Sequence, residues 1–158
     1  MKNPHNKGSA FERDVAKQLS LAVTNGSDAF IFARRSGSGG AGRDKSGASG
    51  ITGDIFADKP EGNPLTDQVS IECKFYKDLT RGLWNYISGK PSKVDEFIAQ
   101  AKEDGDVGKK SWMLIMKCNN MSVIVITDCP KVVSENAWKR DGIYLDSFAN
   151  SLEALRVN

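Results

Sequence analysis

Glu72 and Lys74, two positions apart, carry the chemistry that the sequence suggests most strongly. They lie in a run of alternating apolar and polar residues, 68–76, so a β-strand would project both from one face, about 6 to 7 Å apart along the chain. Asp54 opens the preceding apolar run, which a hairpin would place alongside. Carboxylates from two neighbouring strands suit Mg²⁺ or Mn²⁺. The pattern therefore predicts metal-dependent phosphodiester hydrolysis, with Lys74 stabilising transition-state charge or positioning the attacking water.

The elements that must position these residues can be read from hydrophobic periodicity. Residues 9–23 have apolar residues at helical spacing, and Ser9 with Glu12 three positions later matches a capping box, so we predict a first helix here. An apolar run over residues 29–33 predicts a strand that ends at two arginines. Residues 36–50 contain six glycines and no apolar periodicity, which predicts a flexible loop.

Three short strands are expected to follow the first helix, the second over residues 54–57 and the third over 68–76, joined by turn residues at 58–64. Alternation in the third strand assigns one face to the core and the other, with Glu72 and Lys74, to polar residues.

The second half of the chain supplies the remaining layers. The predicted elements are a short helical or irregular segment at 83–87, a helix at 92–102 ended by Gly105 and Gly108, buried strands at 112–116 and 123–126, and a last helix at 147–156. This order predicts a mixed α/β fold, a central sheet flanked by helices, in a single domain spanning residues 1–158.

Composition narrows the possible classes of protein. Hydrophobic residues make up 39% and charged residues 27%, as in soluble globular proteins, and no apolar run is long enough to cross a bilayer. We expect a cytoplasmic location without membrane attachment. The chain has a single histidine, His5, so we do not expect catalysis by a histidine base or metal binding by paired histidines. Cys73, Cys118 and Cys129 lack a CxxC pair, so we expect buried free thiols rather than disulfides or a zinc site.

Positive charge is concentrated near the N-terminus. Residues 1–53 contain eight Lys or Arg against four acids, although the whole chain has a net charge of only +2. Arg34, Arg35, Arg43 and Lys45 are close enough in sequence to the chemistry-bearing residues to meet phosphates, which indicates DNA as a partner. An ordinary solvated surface would explain the same charges.

The order of the acidic residues resembles a known superfamily. Glu12 on a first helix, Asp54 on a second strand, Ile71-Glu72-Cys73-Lys74 on the third and Gln100 on the next helix resemble the PD-(D/E)xK nucleases, particularly the archaeal-type and phage Holliday junction resolvases. The resemblance spans residues 7–127. Two departures stand out: Gly53 replaces the proline before the aspartate, and the preceding loop is unusually rich in glycine.

The resemblance implies a restriction-endonuclease-like αβββαβ core and a homodimer that makes paired nicks across four-way DNA junctions. It implies Mg²⁺ as cofactor, with Mn²⁺ able to substitute. The implied metal ligands are Glu12, Asp54 and Glu72, and Lys74 and Gln100 complete the catalytic set. The expected DNA contacts are Lys7, Arg34, Arg35, Ser36, Ser38, Arg43 and Lys45.

Other interpretations remain open at this point. Residues 37–42 satisfy GxGxxG, but the segment after them lacks the apolar stripe of the helix that a dinucleotide site requires. A DNA-binding protein without catalysis would not need the intact Asp54, Glu72 and Lys74. A restriction-type or repair endonuclease acting on linear duplex or single strands uses the same motif, because substrate shape is read elsewhere. Trp84, Tyr86 and Trp138 are candidates for a dimer interface or for the core.

Overall fold

The computed structural model describes residues 4–35 and 52–157, with side chains over 7–35 and 52–156. These residues form a mixed β-sheet with helices on both faces. The helices are α1 (Pro4–Val23), α2 (Asn63–Thr66), α3 (Thr80–Ile87), α4 (Lys93–Gly108) and α5 (Phe148–Val157). The strands are β1 (Phe32–Arg34), β2 (Ile55–Ala57), β3 (Val69–Tyr76), β4 (Ser111–Cys118), β5 (Ile124–Thr127), β6 (Trp138–Arg140) and β7 (Ile143–Ser147).

The described part of the sheet has seven strands in the order β1-β2-β3-β4-β5-β7-β6. β3 and β4 pair in parallel over their full length, from Val69 opposite Ser111 to Tyr76 opposite Cys118. The other pairs are antiparallel. The parallel pair requires a crossover, which α3 and α4 provide. The predicted mixed α/β fold with an αβββαβ order is confirmed.

Each face of the sheet carries its own core. On one face α1 and α5 cover alternate residues of the central strands, including Ile71, Met113 and Val125. On the other, α3 and α4 cover Leu114, Met116 and their neighbours. Because successive strand residues point to opposite faces, the eight-residue strands β3 and β4 contribute to both cores.

Helix α1 begins at Pro4, five residues before the predicted start. The expected capping box of Ser9 and Glu12 is therefore wrong, because both residues lie inside the helix; proline's fixed φ suits a first turn. Near the other end of α1, the hydroxyl of Ser20 accepts hydrogen bonds from the N–H groups of Ile31 (3.0 Å) and Phe32 (2.9 Å). This buried hydroxyl ties the start of β1 to α1.

Strand β1 is shorter and later than residues 29–33. The Asp28 carboxylate accepts a hydrogen bond from the Phe30 N–H, 2.7 Å away, so the chain turns there instead of joining the sheet, and Phe30 is 75% exposed. Local side-chain bonding thus overrides the β propensity of the apolar run.

Helix α4 starts as predicted, with Ser92 and Asp95 forming a capping box, but it continues through Gly105 to Gly108. Gly105 does not end the helix. A Cβ at this position would lie 3.0 Å from the carbonyl oxygen of Lys110 and 3.2 Å from Cβ of Trp112, so the glycine allows close approach of α4 to the start of β4. The left-handed Lys109 (φ 52°) ends the helix instead.

The hairpin of β6 and β7 was not predicted. Asp141 and Gly142 connect the two strands, and both have positive φ (51° and 78°), as a tight type I′ turn requires. An Asp-Gly pair between short apolar segments is a hairpin signal in the sequence. It extends the sheet beyond β5 and places Trp138 against Tyr86, with ring centroids 6.3 Å apart.

Three further expectations concern burial. The polar face of β3 is not left to solvent, because α4 covers it and Ser70 and Glu72 are 2% and 1% exposed. Of the aromatic interface candidates, Trp84 is 69% exposed and Tyr86 is buried, so Tyr86 belongs to the core. All three cysteines are buried free thiols, as predicted. Among the helices of the described residues, none combines the length and apolarity that crossing a bilayer demands.

Candidate active site

The polar face of β3 brings Glu72 and Lys74 together. Lys74 Nζ lies 2.7 Å from Glu72 Oε1, and Gln100 Nε2 of α4 donates to the same oxygen from 2.8 Å. Glu72 is only 1% exposed, so a cation and an amide fix its carboxylate within the protein. Charge-assisted hydrogen bonds of this kind are short and hold geometry well.

Asp54 reaches the same region from the turn before β2. Its N–H donates to the Ile71 carbonyl (2.7 Å), and its Oδ2 accepts a hydrogen bond from the Cys73 N–H (2.9 Å). The carboxylate is 4% exposed. Asp54 is therefore fixed beside the part of β3 that carries Glu72 and Lys74.

Gly53 explains how Asp54 comes so close to β3. Its φ is +79°, and a Cβ here would lie 2.4 Å from the carbonyl oxygen of Ile71. Proline, whose ring fixes φ near −65°, cannot adopt this conformation. The sequence showed Gly53 only as a departure from the superfamily pattern; the structure shows that the position requires glycine.

Glu12 approaches from α1. Its Oε2 lies 2.7 Å from Arg34 Nε on β1, and both side chains are mostly covered, with 13% and 24% exposed. Arg34 was predicted as a DNA contact, and the structure places it as the ion-pair partner of Glu12. The hydrogen bonds of the Ser20 hydroxyl to the backbone of Ile31 and Phe32 attach β1 to α1, the two elements that carry Arg34 and Glu12.

The carboxylates affect one another electrostatically. Burial, followed by the negative charges of Glu72 and Glu12, raises the pKa of Asp54 to about 7, against the lowering effects of the Cys73 N–H and Lys74. Burial and the same carboxylates raise the pKa of the Cys73 thiol well above its ordinary range, which keeps the thiol protonated. The site thus concentrates negative charge that the chain neutralises incompletely.

The other predicted site residues lie in different positions. Arg35 follows β1, and its N–H donates to the Asp54 carbonyl from 2.7 Å. Lys7 is exposed on α1, five residues before Glu12, about 7 Å along the helix axis. Ser36, Ser38, Arg43 and Lys45 lie outside the described residues, as does the whole predicted loop 36–50. Within residues 4–35 and 52–157, no three Asp, Glu, His or Cys side chains lie close enough together to form a cluster of metal ligands.

One family of known proteins matches almost the whole chain. Residues 3–151 match the family described as "Phage putative PDDEXK endonuclease". The chain belongs to this family. No curated protein and no solved structure gives a significant match.

The sequence pattern after which this family is named can be located in the chain. The PD-(D/E)xK pattern corresponds to Gly53-Asp54 before β2 and Glu72-Cys73-Lys74 on β3, with glycine in the place of proline. Membership in a family of endonucleases implies nuclease activity, and therefore a nucleic acid as substrate. Around that motif, Glu72 is bonded to both Lys74 and Gln100, and Asp54 is hydrogen-bonded to the Cys73 backbone.

Proposed function

We propose that the chain is a Mg²⁺-dependent DNA endonuclease that cleaves phosphodiester bonds at the site formed by Asp54, Glu72 and Lys74. The observation that supports this most is the placement of these three side chains. Asp54 is bonded to the backbone of Cys73, which lies between Glu72 and Lys74. Burial is the largest cause of the raised pKa of Asp54, and the nearby charges of Glu72 and Glu12 add to it.

The donor set fits a hard divalent cation. Asp54 and Glu72 offer carboxylate oxygens, the ligands that Mg²⁺ and Mn²⁺ prefer, and Glu12 offers a third from α1. A bound cation would relieve the repulsion from Glu72 and Glu12 that contributes, after burial, to the raised pKa of Asp54. Asp54, Glu72 and Glu12 would hold the metal, which would polarise the phosphate and make a bound water more acidic.

The chain's own cations and amide act around that centre. Lys74, 23% exposed and beside Glu72, can place its ammonium against the phosphate oxygens as negative charge builds up. Gln100 orients the Glu72 carboxylate through its 2.8 Å hydrogen bond. Arg34 orients Glu12 and retains further N–H groups that can meet a phosphate, because a guanidinium has five donors.

We further propose that the substrate is a four-way DNA junction, cut by paired nicks in a homodimer, because the Ile71-Glu72-Cys73-Lys74 motif resembles that of the junction resolvases. In this proposal Lys7, Arg34 and Arg35, together with Ser36, Ser38, Arg43 and Lys45, contact the DNA backbone. Two copies would supply the two active sites that symmetrical nicking requires.

A nicking assay on supercoiled plasmid tests the chemistry. We expect nicks with Mg²⁺ or Mn²⁺ and none with EDTA. Asp54→Asn and Lys74→Ala should each lower the rate at least about 100-fold, because even indirect partners of metal ligands cost 10- to 100-fold. Asp141→Asn and Lys139→Ala remove the same charges from the distant β6–β7 hairpin and should leave the rate unchanged. Cleavage in EDTA, or full activity of the Asp54 and Lys74 variants, would contradict the proposed mechanism.

A second assay tests the substrate. A labelled four-way junction and its component linear duplexes are incubated separately with the protein and Mg²⁺, and the products are separated on a denaturing gel. We expect symmetrical nicks in the junction and much slower cutting of the duplexes. Equal cleavage of both substrates would rule out the junction as the preferred target and leave the nuclease itself intact.

A further inference from the structure

The face of β3 that carries Glu72 and Lys74 continues to an exposed aromatic residue. Tyr76 lies two positions beyond Lys74, so it projects from the same face, and it is 42% exposed. Its ring contacts Phe97 of α4 edge to face, with centroids 5.7 Å apart and an interplanar angle of 62°. Phe97 thus fixes the Tyr76 ring while much of the residue remains open to solvent.

Phe97 also links two lysines. Lys74 Nζ lies 5.9 Å from the Phe97 ring centroid and Lys93 Nζ lies 5.7 Å from it. Phe97 therefore joins two cations and a second aromatic ring in one group, here called the aromatic row, that consists of Lys74, Tyr76, Phe97 and Lys93. One end of the row is the lysine of the nuclease motif and the other is at the start of α4.

We propose that the aromatic row binds an unpaired nucleotide next to the cleaved bond, with Tyr76 stacked on its base and Lys93 bound to the neighbouring phosphate. This inference rests on the proposed nuclease function and specifies its substrate: DNA with single-stranded or branch-point nucleotides. Aromatic rings combined with cations suit a nucleic acid strand, because rings can stack on its bases and cations can meet its phosphates.

The exposed aromatic ring favours unpaired over paired DNA. Inside a duplex, neighbouring base pairs cover both faces of each base, so a protein ring has no face to stack on. An unpaired or branch-point base presents an uncovered face. Tyr76 offers the ring and Lys93 offers charge, although Lys93 also donates to Glu96, which uses one of its three N–H donors. The Glu96 carboxylate opposes phosphate binding at this point.

Binding can be measured apart from cleavage, with the full-length protein in EDTA. Fluorescence anisotropy with a labelled mixed-sequence single strand, and separately with its duplex, reports both affinities. We expect the single strand to bind more tightly. Tyr76→Ala should weaken single-strand binding about 10-fold, which is within the usual range for a base stacked on an aromatic ring. Tyr76→Phe keeps the ring and should stay within about 2-fold of the native chain.

Phe30 provides the matched control, because it is an exposed aromatic residue (75%) just before β1, at the end of that strand away from Arg34 and Asp54. Phe30→Ala should leave both affinities unchanged. The thermal midpoint of each variant is measured in parallel, so that a loss of binding can be separated from a loss of folding. Equal effects of Tyr76→Ala on single-stranded and duplex DNA, or no effect on either, would overturn the inference.

The lysine at the end of the row has its own test. Lys93→Gln should reduce the slope of log affinity against log salt by about 0.7, the value for one phosphate contact on a single strand. Glu96→Gln should tighten binding, because it removes the opposing carboxylate. Lys139→Gln is the control: its Nζ also lies over an aromatic ring, 5.0 Å from Tyr144, but on the edge hairpin. An unchanged salt slope for Lys93→Gln would mean that Lys93 does not bind a phosphate, and Lys93 would then have no role in the aromatic row.

The two proposals can fail separately. Nicking with Mg²⁺ combined with Tyr76-independent binding would overturn the aromatic row and leave the nuclease standing. Tyr76-dependent binding of single strands without any metal-dependent nicking would reject the catalytic proposal, and with it the statement that the row adjoins a cleaved bond. Nicking that falls with Tyr76→Ala on a flapped substrate but not on a fully paired duplex supports both.

Discussion

Asp54 and Asp146 are both buried, but they lie near opposite edges of the sheet and their surroundings differ. Asp146, at the end of β7, is 7% exposed and accepts hydrogen bonds from the N–H groups of Ser134 and Ser147, both at 2.8 Å, and from Asn150 Nδ2 at 2.9 Å. Asp54, just before β2, is 4% exposed; it accepts a hydrogen bond from the Cys73 N–H and lies among other carboxylates.

The two carboxyl groups consequently shift in opposite directions. Burial raises the pKa of Asp54 to about 7, helped by Glu72 and Glu12. Burial also acts to raise the pKa of Asp146, but its hydrogen bonds with Ser134, Asn150 and Ser147 together outweigh it, so the pKa is lowered. One aspartate is stabilised as an anion by the fold alone. The other is held where its charge is unfavourable, as expected of a functional site.

The largest predicted effect concerns the stability of the metal-free protein with and without the Asp54 charge. Because the pKa of Asp54 is raised from 3.8 to about 7, the folded chain retains a proton that the unfolded chain releases. The free energy of unfolding should therefore fall as pH rises from about 4 to 7. In EDTA at pH 8, Asp54→Asn should raise it by a few kcal/mol, since each pKa unit corresponds to about 1.4 kcal/mol.

Urea unfolding in EDTA at pH 8, 6 and 5 measures this difference between the native chain and Asp54→Asn. The gain should be greatest at pH 8 and should shrink toward pH 5, where most of the native Asp54 is already protonated. The matched substitution Asp141→Asn, at an exposed turn, should show no such trend. A variant that is less stable than the native chain at pH 8 would mean that the Asp54 charge is better compensated than its surroundings indicate.

Some of these features follow from local sequence patterns, and others depend on contacts between residues far apart in the chain. Alternation along residues 68–76 was enough to place Glu72 and Lys74 on one face of a strand, and the strand and its register with β4 bear this out. The order of the longer helices and strands was likewise predictable, because each of them carries its own apolar period. Local patterns gave the motif and the fold class.

Contacts between residues far apart in the chain could not be predicted from the sequence. The pairing of Arg34 with Glu12 joins β1 to α1, and the cover that α4 provides over Glu72 depends on tertiary packing. No local pattern states that Gly53 must approach the Ile71 carbonyl. The β6–β7 hairpin is different, because the Asp141-Gly142 turn is a local sequence signal for it. The short strands beside it hid the hairpin, since three residues carry little periodicity.

The next largest effect disturbs Asp54 through the backbone. Gly53→Ala places a Cβ 2.4 Å from the Ile71 carbonyl oxygen at a position with φ of +79°. We expect a loss of roughly 2 to 3 kcal/mol in the free energy of unfolding and a loss of cleavage, because both the left-handed conformation and the clash cost energy.

Gly142→Ala isolates the first of these two costs. Gly142 has a nearly equal φ of +78° but has nothing within 4 Å of its Cβ position. This variant should lose only about 1 kcal/mol and should cleave DNA normally. Chemical unfolding and the plasmid assay on both variants check the prediction. Equal losses for the two glycines would show that conformation alone, and not the approach to β3, makes Gly53 necessary.

The smallest effect should come from the aspartate that the fold already satisfies. Asp146→Ala removes an acceptor that serves Ser134, Ser147 and Asn150, so we expect a loss of about 1 to 2 kcal/mol at pH 7, in the range of buried hydrogen bonds. Its lowered pKa means that this stabilisation is present above about pH 4 and disappears as pH falls through the folded pKa.

The stability that Asp146→Ala loses in urea unfolding should therefore shrink as pH falls below about 4. Asp54→Asn changes stability in the opposite sense, because it gains stability, and that gain shrinks between pH 8 and pH 5. Asp67→Ala, at an exposed aspartate, should change stability by less than about 0.5 kcal/mol. Cleavage per folded molecule should be native in Asp146→Ala, because the side chain lies near the opposite edge of the sheet from Asp54. Lost cleavage in a folded Asp146→Ala protein would mean that the two ends of the sheet do not act independently.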